Sequence, residues 1–437
     1  MTGLLGRYFA RLDRCQPWRW QGQVLESVGQ TIESAGPLAS VGECCEIRDQ
    51  SGRSHLAEVI GFRGSHVLSM PVETTAGIRF GDRVSALGMR PEIEAGPGLI
   101  GRVLNALGEP IDGGRAAAGT TGFLLDGRVR SPLDRVPIKT PLGTGIRVLD
   151  ALLTVGRGQR VGIFGGSGVG KSTLIGMMTR NTEADVTVVG LVGERGREVG
   201  EFLESALGDQ GRARSVVVVS TSDQSPLLRM RAALAATTVA EFFAAQGKHV
   251  LLVLDSLTRF AMAARDLGLA AGEPPTAKGY TPSVFTRLAR LVERTGQFKN
   301  GSITAFYTVL MEGDDQQDPL VDAVRSLLDG HVMLSRGLAA EGWYPAIDLL
   351  DSISRLMPAV TEPAHREQAA LIRRLMAVYA RSEDLVRIGA YKPGADPDLD
   401  RALRARESLR SFMTQEEQER VGFSDSVERL AALAAGV

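Results

Sequence analysis

The sequence predicts an α/β protein in three parts: a small all-β domain, a central mainly parallel sheet with helices on both faces, and an all-α tail. Three observations predict it. Short strands separated by glycine-bearing turns run from about Gln21 to Arg90, the pattern of a small barrel or sandwich. Strands and helices then alternate beyond about Gly145, and strands such as Val216–Val219 and Val250–Leu254 are wholly apolar, as a sheet buried on both faces requires. After about Pro363 the apolar residues take a helical period: Leu371, Ile372, Leu375, Met376, Val378 and Tyr379, then Leu385, Val386 and Ile388. The expected boundaries are 1–20 for an N-terminal segment, 21–92, 93–362 and 363–437.

A chain of 437 residues exceeds what one hydrophobic core serves, so several domains are expected. Its 43% hydrophobic and 23% charged residues are ordinary for a globular protein. Fifty basic residues against fifty-one acidic ones leave a net charge of −1, so no global field draws the chain to nucleic acid or anionic lipid. Cys15, Cys44 and Cys45 form a poor disulfide or metal pattern and read as reduced thiols. No apolar run has the length of a membrane span, and Arg7, Arg11, Asp13 and Arg14 interrupt the place of a signal-peptide core. The expectation is a soluble, cytoplasmic protein.

In chain order, Leu4, Leu5, Tyr8, Phe9 and Leu12 oppose Arg7, Arg11 and Arg14, a short amphipathic helix over 2–14 that either packs on its own domain or docks a partner. Strands follow at Gln23–Val28, Cys44–Arg48, Leu56–Phe62, His66–Pro71 and Arg83–Ala86. His55 and His66 lie among them and read as ordinary surface or core residues. The segment Gly98–Asp112 leads out, and an irregular stretch rich in Gly and Pro continues to about Gly145. Beyond it come Val161–Phe164, Val186–Leu191, a helix near Glu198–Leu207, Val216–Ser220, a long helix near Pro226–Gln246, Val250–Leu254, Val284–Thr295, Ile303–Leu310 and Val332–Leu334.

The strand Val161–Phe164 runs into Gly165-Gly166-Ser167-Gly168-Val169-Gly170-Lys171-Ser172-Thr173, which fits the phosphate-loop spacing G-x-x-x-x-G-K-[ST]. Gly165, Gly168 and Gly170 stand where the backbone must take positive φ or approach an anion. Successive N–H groups and the dipole of the helix starting near Lys171 favour a polyphosphate. Lys171 then reaches the β- and γ-phosphates, and Ser172 offers a hydroxyl to Mg²⁺. Asp255, ending an apolar strand, suits a carboxylate that holds Mg²⁺; its alternative is a helix cap. Glu194, after another strand, could orient and activate a water, with Arg195 on phosphate oxygens. Arg259 reads as a phosphate contact or a salt-bridge partner. In Trp343–Arg355 an aromatic precedes a short extended segment ending in Arg355.

Gly165–Thr173, Gly193–Glu198, Val253–Arg259, Gly272–Phe285 and Pro345–Arg355 together resemble the family of rotary ATP synthase catalytic subunits and type III protein-export ATPases. Glu312–Pro319, Val324–His331 and Ile388–Asp396 resemble the export branch, most closely its flagellar form. The resemblance covers nearly the whole chain. It implies an N-terminal β-barrel, a RecA-like P-loop domain and a C-terminal helical domain, with ATP as substrate and Mg²⁺ as cofactor. It makes Glu194 the water-activating base, Arg195 the adjacent phosphate-contacting arginine, Asp255 the Walker B carboxylate and Arg259 a nearby arginine of the site. Tyr344 becomes the adenine-stacking aromatic, and Arg355 a finger supplied in trans within a homo-hexamer, with a rate effect of roughly 10³-fold or more. A second aromatic of relatives has His365 or Arg366 in its place, which predicts loose base selectivity. Implied partners are a regulator at the N-terminal segment, a central stalk protein, an export gate at the membrane and export chaperone–substrate complexes, on the cytoplasmic side of the inner membrane. An injectisome ATPase is the alternative within the branch. Glu194 argues against a non-catalytic ring subunit, and the absence of a basic, aromatic platform in the N-terminal strands argues against an RNA translocase.

Overall fold

The computed structural model describes residues 20–115, 117–127, 131–311 and 318–437. The amphipathic segment 2–14 with its docking role, Cys15, and Glu312–Gln317 of the export-branch motif lie outside the described residues. Strands β1 (Gln21–Val28), β2 (Thr31–Ala35), β3 (Cys44–Arg48), β4 (Ser54–Arg63), β5 (His66–Pro71) and β6 (Arg83–Ala86) close a barrel in the order β1-β2-β5-β4-β3-β6. Alternate residues point inward, as the two-residue strand period dictates: Cys45 and Ile47 from β3, Ala57 and Val59 from β4, with Val24, Ile32 and Val84. Strand β2, Thr-Ile-Glu-Ser-Ala, carries too little apolar signal to be read from sequence.

The stretch expected to be irregular contains β9 (Thr121–Leu124), which pairs with β7 (Glu92–Ala95), and the exit segment Gly98–Asp112 contains β8 (Val103–Asn105). Three-residue β8 joins the edge of the central sheet, a placement that only tertiary pairing creates. The sheet's other strands are β10 (Arg160–Gly165), β11 (Val186–Glu194), β12 (Ser215–Thr221), β13 (His249–Asp255), β14 (Gly296–Gln297), β15 (Ser302–Leu310), β16 (Gly330–Leu334) and β17 (Ile347–Ser354). Their order is β17-β16-β10-β15-β13-β11-β12-β8, with β14 antiparallel to β15. All neighbours from β16 to β8 are parallel, and β17 is antiparallel.

Each buried strand feeds two cores. Val188, Val216, Val218, Leu252 and Leu254 face one side, and Val189, Val217, Leu251 and Val253 the other. Helices α1 (Arg147–Leu152) and α2 (Lys171–Asn181) lie on the second side; α3 (Pro226–Ala245), α4 (Leu257–Ala270), α5 (Pro282–Val292) and α6 (Pro319–Leu327) cover the first. The expected helix near Glu198 begins at Gly196 and widens into a π-helical turn, Phe202–Leu207. Proline opens α3, α5 and α6, where its missing N–H is no loss. The barrel is joined to α3 by the buried pair Arg231–Glu58, Nη2 to Oε2 2.7 Å.

Edge strand β17 is interrupted. Opposite Met333 it presents Asp348, but opposite His331 it presents Ile353, so Leu349–Ser352 bulge out. The bulge's carbonyls at Leu349 and Ser352 accept from Arg373 Nη1 at 2.7 and 3.1 Å. Arg373 belongs to α7 (Pro363–Arg387), which with α8 (Pro397–Met413) and α9 (Phe423–Ala435) forms the C-terminal helical part.

Candidate active site

Strands β10, β13 and β11 end side by side at Gly165, Asp255 and Glu194, with β15 between the first two. Crevices outside the carboxyl ends of parallel strands are where such sheets bind ligands. The loop after β10 turns through Gly168 (φ 79°) and Gly170 (φ 87°), and Gly170 caps α2 in the left-handed region, where glycine alone is unstrained. Gly165 is glycine for space: a Cβ there would meet Leu334 Cβ at 3.0 Å and Val169 Cγ2 at 3.1 Å. A Cβ on Gly166 would run into the Arg336 guanidinium. Lys171 is buried, and its Nζ donates to the Gly165 carbonyl at 3.1 Å and to that of Gly166. A polyphosphate in the loop would exchange for those acceptors. Ser172, beside it, is exposed.

Asp255 is buried, and its Oδ1 accepts from Thr308 Oγ1 at 2.6 Å. Burial pushes its carboxyl up, against the Thr308 hydrogen bond and the charges of Lys171 and Arg259. A cation beside it would relieve that burial cost. Among the described residues no cluster of three or more His, Cys, Asp or Glu could hold a metal. Mg²⁺ asks less of a protein, one or two hard oxygens with substrate phosphates supplying more; the Asp255 carboxylate and the Ser172 hydroxyl fit that donor chemistry.

Glu194, half-buried, is pushed up to about 8. Desolvation is the largest cause, followed by the Asp255 charge and a hydrogen bond with Glu198, with Arg259 opposing. Such a value near neutrality suits a general base. Gly193 (φ 71°) lets the Arg259 stem cross the end of β11, since a Cβ there would stand 3.2–3.4 Å from Arg259 Cβ, Cγ and Cδ. The Arg259 Nε is buried with no hydrogen-bond partner among the described residues, an orphaned donor at a crevice expected to take phosphate. Arg195 is not brought in: its side chain is 73% exposed and pairs with Glu198 at 3.6 Å.

Tyr344, 47% exposed, stands over the loop, its ring edge 3.5 Å from the place of a Cβ on Gly170. Behind it opens a cleft of about 770 Å³, walled on the far side by Thr414–Glu419, the turn between α8 and α9. This corrects the reading of the second aromatic. His365 is buried, with its Nε2 2.6 Å from the Ala151 carbonyl and its ring against Phe423, and Arg366 donates to the Pro358 and Thr361 carbonyls. Neither lines the cleft, which the turn Thr414–Glu419 walls on that side.

Arg355 is not brought to the loop. β17 starts beside Leu334 near the loop and runs antiparallel, ending with Ser354 beside Gly330. The Arg355 N–H donates to Asp329 O at 3.0 Å, and Asp329 N–H to Arg160 O. Arg355 therefore lies at the start of β10, five residues and roughly 16 Å from Gly165. Its side chain is exposed. Sequence reasoning missed Thr308 and the α8–α9 turn, because strand order and domain packing bring them in, and Glu198, which the first turn of the helix after β11 folds back on Glu194.

The ATP synthase alpha/beta family matches with its beta-barrel domain over residues 24–88 and its nucleotide-binding domain over 145–354, and the T3SS EscN ATPase C-terminal domain matches 361–432. The flagellum-specific ATP synthase of Treponema pallidum is 51% identical over 432 residues, 98% of this chain and 96% of its own. The chain belongs to the type III protein-export ATPases of the ATP synthase alpha/beta family. The type 3 secretion system ATPase of Xanthomonas euvesicatoria is 47% identical, over 95% of this chain and 94% of its own. Relatives from the flagellar and the secretion branch thus match this chain at similar identity. The assembled ATPase EscN of the enteropathogenic E. coli type III secretion system superposes with a TM-score of 0.89 at 42% identity, covering 94% of this chain and all of its own. EscN with its central stalk EscO gives 0.87 over the same coverage. This export ATPase thus has the barrel, the mainly parallel nucleotide-binding sheet and the helical C-terminal domain of its relatives.

Proposed function

We propose that this export ATPase hydrolyses Mg-ATP in a homo-hexameric ring whose sites are shared between neighbouring copies, and that the ring energises type III protein export in its flagellar form. ATP-driven type III export is the activity of the family. Within one copy, the loop N–H groups and Lys171 hold the phosphates, and Tyr344 stacks on the base. Glu194 takes a proton from the attacking water, and Arg259 stabilises charge on the phosphate oxygens; Arg195, which points outward here, would have to turn in from Glu198 to join it. Asp255 and Ser172 would hold Mg²⁺, which would supply neutralisation of the phosphate charge.

The observation that carries the shared site is the distance of Arg355 from its own loop, together with its exposure at the sheet edge. A guanidinium so placed serves a neighbour's phosphates or none. Glu194→Gln and Arg355→Ala are each expected to bind ATP and to turn over little. Mixed in equal amounts, they regain about a quarter of wild-type activity, the share of interfaces that random pairing makes complete. A mixture no more active than its parts would sink the shared site.

The described residues contain no helix long and apolar enough to cross a membrane. A cytoplasmic position beside the inner-membrane export gate accords with that, as does a central stalk protein with the stalk-bound EscN structure. Segment 2–14 is the proposed seat of a regulator, and chaperone–substrate complexes are the proposed cargo; deleting 2–14 with no change in regulator binding would remove the first. Restored motility in a cell lacking its flagellar ATPase supports the flagellar form, and restored secretion alone supports the injectisome.

A further inference from the structure

The turn Thr414–Glu419 is fastened to the nucleotide-binding domain by two buried side chains that catalysis does not use. Arg147, at the start of α1, is 4% exposed. Its Nη1 donates to the carbonyls of Ser411, Phe412 and Thr414 at 3.1, 3.2 and 3.0 Å, and its Nη2 to the Glu419 carboxylate. Those carbonyls end α8 and lack helical partners, so a guanidinium there satisfies them and opposes the helix dipole. Gln415, 5% exposed, completes the fastening. Its Oε1 accepts from the Arg147 N–H at 2.8 Å, and its Nε2 donates to the carbonyls of Gly145 and Glu419 at 2.9 and 3.0 Å. Its own backbone N–H donates to the Tyr344 carbonyl at 2.8 Å. One residue thus touches both walls of the cleft: Tyr344 through its backbone, and the base of the turn through its side chain.

We propose that Arg147 and Gln415 are positioning residues for the nucleotide base, fixing the turn Thr414–Glu419 against Tyr344 so that the cleft has its width before the base enters. The inference rests on the proposed function, in which this cleft receives the base of ATP. A preformed slot leaves less ordering to be done on binding. Both residues hold the turn and also line the cleft, and neither touches a reacting atom, so their loss weakens what depends on the base and spares what depends on phosphate.

The test compares two ligands on the full-length protein. Mg-tripolyphosphate has the phosphates of ATP and no base. Gln415→Met keeps the volume and removes the three side-chain hydrogen bonds, and is expected to raise KM for ATP about tenfold with kcat within about twofold of wild type. The inhibition constant of Mg-tripolyphosphate against ATP hydrolysis stays unchanged. Gln415→Glu, which keeps the acceptor for Arg147 N–H and sets a second acceptor against the Gly145 and Glu419 carbonyls in place of the donor, is the second variant should the first not fold, and shows the same split. An unchanged KM, or ATP and tripolyphosphate weakened together, overturns the inference while leaving the ATPase reading intact. A wild-type protein that bound tripolyphosphate as well as it bound ATP would overturn the base cleft itself.

Discussion

Glu194 holds its proton up to about pH 8 in a pocket where burial, Asp255 and Glu198 all disfavour the carboxylate. Below that value the ionised fraction falls tenfold per pH unit, so at pH 7 about one molecule in ten carries a competent base. Because kcat/KM reports ionisations of the free enzyme, its logarithm for Mg-ATP should climb with unit slope from about pH 6 and level near 8. Glu198→Gln removes a negative charge and the carboxylate hydrogen-bonded to Glu194, so the inflection moves to lower pH and activity at pH 6.5 rises. Glu201→Gln, exposed on the same helix, serves as the control and leaves the inflection in place. Phosphate release measured across the range decides it. A flat profile from about pH 6 to 8.5, or an inflection that Glu198→Gln leaves unmoved, would refute the assignment of Glu194 as base. Stability carries the same sign. The folded pKa lies above the unfolded value of 4.5, so the contribution of Glu194 is fully present below that value and is lost as pH rises through about 8. Glu194→Gln cannot ionise, and melts higher than wild type above pH 8.

Three further outcomes follow from the contacts. Thr308→Val removes the hydroxyl that holds Asp255 Oδ1 and should raise the Mg²⁺ concentration for half-maximal activity about fivefold, read by Mg²⁺ titration. Arg231→Ala leaves Glu58 buried without its partner; unfolding by denaturant should show a loss of about 3–5 kcal/mol. Gly193→Ala places a Cβ against the Arg259 stem at a left-handed φ, costing about 1 kcal/mol or more in stability and lowering kcat through the displaced guanidinium, while a fluorescent ATP analogue still binds.

The phosphate loop was legible in the sequence because its chemistry is local. Strand, glycines, lysine and helix follow one another, and the left-handed Gly168 and Gly170 are where the spacing puts them. The apolar runs of β12 and β13 were legible because burial on both faces leaves no other composition. Helix α4 was passed over although Leu257, Phe260, Ala261, Ala264 and Leu267 keep helical spacing; alanines dilute that stripe. What the sequence hid was sheet order and packing. Thr308 meets Asp255 only because β15 lies beside β13, and β8 becomes a strand only by pairing with β12. His365 was matched to the base cleft by its place in the chain, yet the helix it sits on turns that ring onto Ala151 and Phe423. The exile of Arg355 from its own loop depends on β17 reversing direction, which no local pattern records.

That reversed strand has one more property. An edge strand ordinarily offers a row of free N–H and C=O groups to any chain that passes. In β17 the row is broken by the bulge at Leu349–Ser352, two of whose carbonyls are taken by Arg373, while the Leu350 N–H is folded onto the Asp348 carboxylate. A neighbouring copy cannot extend the sheet here by strand addition. In the proposed ring a neighbour at this edge would meet it side chain to side chain, and a contact of that kind can loosen and re-form at every turnover without unpicking a ladder of backbone bonds.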